Sequence, residues 1–119
     1  MIEKDFALKF AEDWINSWNS HDIDVILSHY TEDFTIESPY ALKWMPESGG
    51  VLNGKPAIKA YWLIALQSIP DLKFELQEVL TGINSITLYY FNPANGKNTA
   101  EVMFFNADGK VTKVFAHYN

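Results

Sequence analysis

The C-terminal half of the chain constrains the fold most strongly, because short turn signals divide it into four strand-length segments. The separators are Gly82, an Asn-Gly turn that ends at Gly96 and an Asp-Gly turn that ends at Gly109. Both dipeptides are typical of hairpins, and strands joined by such short links pair antiparallel. We therefore predict a four-stranded antiparallel meander, with strands at residues 72–81, 84–92, 97–106 and 110–118.

The N-terminal half begins with helical periodicity. Aromatic residues recur every four positions, at Phe6, Phe10, Trp14 and Trp18, and predict a helix over residues 3–18. The remaining segments are predicted as a second helix at residues 22–30, a strand at 34–38 that Pro39 stops, a loop at 40–54 and a third helix at 56–67. This order of elements predicts an α+β fold, with three helices packed on one face of a curved antiparallel sheet.

Composition limits the partners of such a fold. The length of 119 residues predicts a single domain over residues 1–119. Nine Lys, no Arg and a formal charge of −6 argue against nucleic acid or an anionic membrane as a partner. The lack of Cys excludes disulfides and thiolate chemistry. The charged N-terminus, with no apolar run of about 18 residues, predicts a soluble cytoplasmic protein.

Five short stretches carry a family resemblance that covers nearly the whole chain. They are residues 14–24 (WINSWNSHDID), 30–34 (YTEDF), 54–62 (GKPAIKAYW), 69–72 (IPDL) and 106–111 (NADGKV). In this order they resemble the SnoaL-like group of the nuclear transport factor 2-like superfamily, whose folds are also called cystatin-like α+β cones. The resemblance implies a cone-shaped curved antiparallel sheet that wraps around the N-terminal helix and encloses an apolar cavity.

The resemblance also implies a small lipophilic or amphipathic ligand and a homodimer. Val102, Phe104 and Phe115 are expected on the outer face of the sheet, where a monomer would leave them as an exposed apolar patch. We expect no metal and no cofactor, since no His, Asp and Glu spacing suggests a metal site. A nucleotide ligand is also disfavoured, because the chain has neither Arg nor a glycine-rich phosphate loop.

Enzymes of this fold place their catalytic groups in the cavity, so their known sets can be compared with this chain. In proteins similar to ketosteroid isomerase, a helix-1 tyrosine and a late-strand acid stabilise an enolate, and an aspartate before a proline takes the proton. The resemblance maps these three groups onto Trp14, Glu101 and Ser38. Glu101 alone keeps a usable acid, because the pKa of an unassisted serine is far too high for it to serve as a base.

Three other catalytic sets of the superfamily are incomplete in this chain. The Asp-Arg-Asp set of limonene epoxide hydrolase-like proteins is excluded, since there is no Arg. The Tyr-Asp pair of scytalone dehydratase-like proteins is replaced by Trp18-Asn19. SnoaL-type cyclases use a late aspartate, whereas Asp108 is the one Asp after residue 71 and lies in a predicted hairpin turn.

Glu101 is the candidate catalytic residue. Alternation places it on one strand face with Met103 and Phe105, opposite Ala100 and Val102. Both faces are apolar, so an acid is unexpected there. Inside a cavity its pKa would be raised by desolvation, as a general acid or base requires. The alternative is a partly solvated acid at a cavity rim or dimer seam, paired with a lysine.

Seven further residues are candidates for contact with a substrate. Most of them have an alternative role. Trp14 and Trp18 recur at helical spacing, which is equally typical of core residues. Tyr40 and Trp44 could pin the loop to the surface rather than close the cavity mouth, and Ser38 could merely cap a strand end. The candidates are Trp14, Trp18, Ser38, Tyr40, Trp44, Met103 and Tyr118.

Two functions are compatible with these residues. The missing catalytic sets favour a non-enzymatic carrier, sensor or dimerisation module that binds a small apolar or amphipathic molecule. The alternative is an isomerase, cyclase or dehydratase that acts on a polyketide-, steroid- or terpenoid-like substrate with Glu101 as its acid/base group.

Overall fold

A computed structural model describes residues 1–119 and confirms the α+β fold. A 3₁₀ turn lies at Pro46–Ser48. The helices are α1 (Lys4–Ser20), α2 (Ile23–Leu27), α3 (Pro39–Trp44) and α4 (Lys55–Ser68). The strands are β1 (Tyr30–Glu37), β2 (Val51–Asn53), β3 (Glu75–Thr81), β4 (Ser85–Asn92), β5 (Lys97–Phe105) and β6 (Val111–Tyr118). None of the helices is both long and apolar enough to cross a membrane.

All six strands form one curved, open sheet in the order β2-β1-β6-β5-β4-β3. The predicted meander is confirmed, since β3 to β6 pair antiparallel with their chain neighbours. The expectation of a wholly antiparallel sheet is wrong at one place, because β1 pairs parallel with β6. These two strands are far apart in the chain, so no short turn dictates their direction.

Helix α1 lies against the concave side of the sheet and provides much of the core. The predicted aromatic stripe is buried at Phe10, Trp14 and Trp18, while Phe6 is 39% exposed and meets Phe105 edge-on, with ring centroids 5.3 Å apart. The helix ends where His21 adopts a left-handed conformation, with φ 62°, and donates its backbone N–H to the Trp18 carbonyl.

The second helix is shorter than predicted. Residues 22–30 were expected to be helical, but α2 ends at Leu27 and Tyr30 already belongs to β1. The carboxylate of Asp22 caps α2 by accepting from the backbone N–H groups of Asp24 and Val25. Tyr30 pairs with Val111 at the start of the parallel ladder, and this long-range pairing replaces the last helical turn.

The segment predicted as a loop over residues 40–54 contains a fourth helix and an edge strand, so the prediction of three helices is wrong. Pro39 does stop β1, but it also begins α3, a position that suits its fixed φ. The Ser38 hydroxyl caps this helix by accepting from the Tyr40 backbone N–H at 3.2 Å. Because α3 is short, it presents no helical period that the sequence could reveal.

The convex side of the sheet, which faces away from α1, carries apolar side chains. Phe104 and Phe115 meet edge-on there with ring centroids 5.9 Å apart, and both are half-buried. The ammonium group of Lys113 lies 5.8 Å and 5.5 Å from the centres of these two rings. The structure therefore has an apolar patch on the outer face of the sheet, at the position that the sequence predicts.

Candidate functional site

A cavity lies between the concave side of the sheet and helices α1, α3 and α4. Its volume of about 60 Å³ is well below the roughly 300–1,000 Å³ of pockets that hold drug-sized ligands. A larger ligand must therefore displace wall side chains. Most lining residues are apolar or aromatic: Trp18, Ile36, Tyr40, Trp44, Tyr61, Trp62, Ala65, Ile69, Leu72, Phe74, Tyr90, Asn92, Asn95, Glu101 and Tyr118.

Glu101 brings a carboxyl group into this cavity. It lies in the middle of β5, opposite Leu88 on β4 and Ala116 on β6, so strand alternation directs it to the concave side. Its side chain is only 5% exposed. The Tyr90 hydroxyl donates a hydrogen bond of 2.6 Å to Oε2. The alternative of a rim carboxyl paired with a lysine does not match this geometry, because the three ion pairs of the structure lie elsewhere.

Burial sets the protonation of this carboxyl. Desolvation raises the pKa of Glu101 from 4.5 to about 7, although the hydrogen bond from Tyr90 acts in the opposite direction. Near neutral pH, protonated and ionised forms of Glu101 are therefore both populated.

The tyrosines around Glu101 remain protonated. Burial, and then the nearby Glu101 carboxylate, raise the pKa of Tyr90 and of Tyr118. Burial also raises the pKa of Tyr61 to about 12. These phenols can serve as hydrogen-bond donors, but near neutral pH they are not bases.

Aromatic side chains of α3 close one end of the cavity against the C-terminal strand. The ring of Tyr40 meets that of Tyr118 edge-on, with centroids 4.5 Å apart, and lies 5.4 Å from that of Trp44. Asn95, in the β4–β5 turn, donates to the Tyr40 hydroxyl over 3.5 Å. Because Tyr40, Trp44 and Tyr118 are half-buried while Glu101 is fully buried, this is the end at which the cavity approaches solvent.

Five of the eight candidate residues line the cavity together: Glu101, Trp18, Tyr40, Trp44 and Tyr118. Trp14, Ser38 and Met103 do not line it. Met103 is fully buried, and Trp14, which is 1% exposed, donates its indole N–H to the Tyr30 hydroxyl at 2.7 Å. What the lining residues bind stays a prediction.

Ser38 is buried behind the cavity wall. Its hydroxyl caps α3 and shares a hydrogen bond of 3.1 Å with the hydroxyl of Tyr61, which does line the cavity. Any influence of Ser38 on a ligand would therefore pass through the tyrosines of the cavity wall, Tyr61 and Tyr118.

Tyr90 is the important residue that the sequence analysis missed. A signal for it exists, because the turn between Asn92 and Lys97 sets the register of the β4–β5 hairpin. That register pairs Tyr90 with Thr99, which makes Tyr90 a diagonal neighbour of Glu101 on the same face. Diagonal neighbours lie within reach of an aromatic side chain.

Known proteins agree with this architecture. A family described as the SnoaL-like domain matches residues 11–114. A SnoaL-like protein of unknown function from Burkholderia thailandensis is 42% identical, with 99% of this chain and 98% of that chain covered and a TM-score of 0.94. No curated protein matches.

Two more distant structures share the fold. One is SalBIII, an epoxide hydrolase/cyclase-like enzyme with a role in pyran ring formation in the polyether salinomycin. It is 18% identical, with 100% of this chain and 95% of that chain covered and a TM-score of 0.79. The other is TerC, co-crystallised with polyporic acid. It is 15% identical, with 96% of this chain and 92% of that chain covered and a TM-score of 0.77. At these identities the likeness concerns the fold alone.

Proposed function

The chain belongs to the SnoaL-like domain family, and from this premise we propose that it binds a small, uncharged, largely apolar molecule in its aromatic cavity and transfers a proton on it through Glu101. The reaction class is that of an isomerase or cyclase. The substrate class is a ketone or alcohol of the polyketide, steroid or terpenoid kind.

One observation carries this proposal. The Glu101 carboxyl is buried among aromatic and aliphatic side chains, with a tyrosine hydroxyl as its hydrogen-bond partner and no cation beside it. A group of this kind costs stability when it ionises, so it has no evident structural benefit. Its pKa of about 7 is what efficient proton donation and acceptance near neutral pH require.

The chemistry follows from the two protonation states of Glu101. The carboxylate accepts a proton from a carbon next to a carbonyl group, or from a hydroxyl group, and becomes the neutral acid. The neutral acid then returns a proton at another atom of the substrate, so Glu101 is regenerated and the substrate is rearranged without net oxidation. An anionic substrate is disfavoured, because no lysine lines the cavity and the carboxylate would repel it.

The named relatives support the substrate class without defining it. SalBIII takes part in forming a pyran ring, and TerC was crystallised with polyporic acid.

A carrier or sensor is the second candidate, and a specific observation favours it. The two other positions of the ketosteroid isomerase-like set hold Trp14 and Ser38, and the polar groups of both are engaged by Tyr30 and Tyr61. Glu101 therefore has no second proton-transfer group of suitable pKa near it. A protein that binds its ligand without transforming it would need none.

Deuterium exchange into 2-decalone separates the two candidates. The wild-type protein should accelerate exchange of the protons next to the carbonyl group, as followed by NMR in D₂O. The Glu101→Gln variant should lower this acceleration on the order of 100-fold. Glu78→Gln is the matched control, because Glu78 is exposed on β3.

The outcomes are distinct. Binding of 2-decalone with no exchange above the buffer rate would replace the enzyme proposal with the carrier. Equal exchange in the wild type and in Glu101→Gln would contradict the assigned role of Glu101.

A further inference from the structure

The indole N–H of Trp18 is buried without a hydrogen-bond partner. Among the buried side-chain nitrogen and oxygen atoms of the structure, Nε1 of Trp18 alone lacks one. The residue is 5% exposed, and it is part of the cavity wall. Buried polar groups in folded proteins nearly always have a partner, so an isolated donor calls for a physical explanation.

Trp14, one helical turn earlier on α1, shows that the fold can satisfy such a group. Its indole N–H donates to the hydroxyl of Tyr30 at 2.7 Å. The neighbours of the Trp18 ring are instead the rings of Trp62 and Phe74, with centroids 5.1 Å and 5.4 Å away. The indole N–H of Trp14 thus has an oxygen atom to donate to, whereas the rings that surround Trp18 present only carbon surface.

We propose that the Trp18 indole N–H donates a hydrogen bond to an acceptor oxygen of the bound molecule. The inference rests on the proposed function, because it assumes that the cavity holds a ligand. It deepens that function by defining the ligand class: an otherwise apolar molecule with a carbonyl, ether or hydroxyl oxygen that accepts from Trp18.

A water molecule is a poorer partner for Trp18 in this environment. A buried water is stabilised by two to four polar contacts, and the ring of Trp18 packs against the carbon surfaces of the Trp62 and Phe74 rings. A ligand oxygen needs one contact only, since the rest of the ligand packs against the apolar walls. A ligand with an acceptor oxygen gains a hydrogen bond from the indole N–H that a pure hydrocarbon cannot form.

NMR of the four indole N–H groups tests this inference directly. Signals are assigned with single Trp→Phe variants, and the protein is titrated with cyclohexanone or with methylenecyclohexane, which replaces the carbonyl oxygen by a CH₂ group. Cyclohexanone should move the Trp18 indole proton downfield and leave that of Trp14 unchanged.

Variants add a second readout. In Trp18→Phe the affinity for cyclohexanone relative to methylenecyclohexane should fall on the order of tenfold, whereas Glu78→Gln, a control that is exposed on β3 and outside the cavity wall, should keep the wild-type ratio. Benzothienylalanine at position 18 replaces the N–H by sulfur in a ring system of the same shape, and it serves if the phenylalanine variant does not fold.

Three results would overturn the inference. In the first, cyclohexanone binds in the cavity but does not shift the Trp18 signal, which is the result expected if the indole N–H points at the Trp62 ring. Alternatively, both probes could move the Trp18 signal equally. Either result leaves the proposed function intact, whereas a cavity that takes up neither probe contradicts the proposed function as well.

Discussion

Replacing Glu101 with Gln should remove a large part of the pH dependence of folding stability. The folded-state pKa of this carboxyl is raised from 4.5 to about 7. Between these values the native protein binds more protons than the unfolded chain, so the free energy of unfolding falls as pH rises. The contribution of Glu101 is fully present below about pH 4.5 and is lost as pH passes through about 7.

The magnitude follows from the same two pKa values. Ionising the buried carboxyl costs about 3 kcal/mol in total. From about pH 5 to about pH 8 the free energy of unfolding should fall by about 2–3 kcal/mol on account of Glu101 alone. Gln has nearly the same shape and can still accept the hydrogen bond from Tyr90, but it cannot ionise. The variant should therefore lack this fall.

Urea denaturation across this pH range, followed by tryptophan fluorescence, measures the effect. The wild type and Glu78→Gln should lose stability together as pH rises, and Glu101→Gln should diverge from both. Parallel curves for the wild type and Glu101→Gln would refute the assignment of a buried, uncompensated carboxyl.

Three further predictions concern the partner of Glu101, the wall of the cavity and the outer face of the sheet. Tyr90→Phe removes the hydrogen bond that favours the ionised form, so the pKa of Glu101 should rise further; an NMR titration that shows a fall contradicts this. Asn19→Ala deletes two hydrogen bonds to the backbone of Phe74, of 3.0 Å and 2.7 Å, and should cost about 1–3 kcal/mol in urea denaturation; an unchanged midpoint would show that this wall is held by other contacts. The apolar convex face around Phe104 should form a homodimer, which Phe104→Asp disrupts; sedimentation of the wild type as a 13.6 kDa monomer at micromolar concentration rules this out.

The parts of the fold that depend on local signals were predictable. The turns ending at Gly96 and Gly109 specify the meander, and the four-residue aromatic period specifies the buried face of α1. The parallel pairing of β1 with β6 depends on a contact between distant segments, so no local pattern reveals it. Helix α3 was not predicted, because its six residues are too few to show a helical period. Ser38-Pro39 is nevertheless a recognisable start signal for a helix.

The candidate site was predictable to a similar extent. Glu101 is conspicuous because an acid interrupts an apolar strand, and alternation alone gives its direction. Trp14 and Trp18 look equivalent in the sequence, yet the first donates to Tyr30 and the second has no partner. That difference depends on where β1 places the Tyr30 hydroxyl, which is a property of the tertiary structure.

A direct titration of the Glu101 carboxyl tests the central claim. The side-chain carboxyl carbon, labelled with ¹³C and assigned by comparison with Glu101→Gln, is followed by NMR as pH is varied. The account predicts a midpoint at about 7, so that both forms are available for proton transfer near neutral pH. A midpoint at or below the ordinary value of 4.5 would show that the carboxyl is solvated or paired with a cation, and would contradict the proposed role of Glu101.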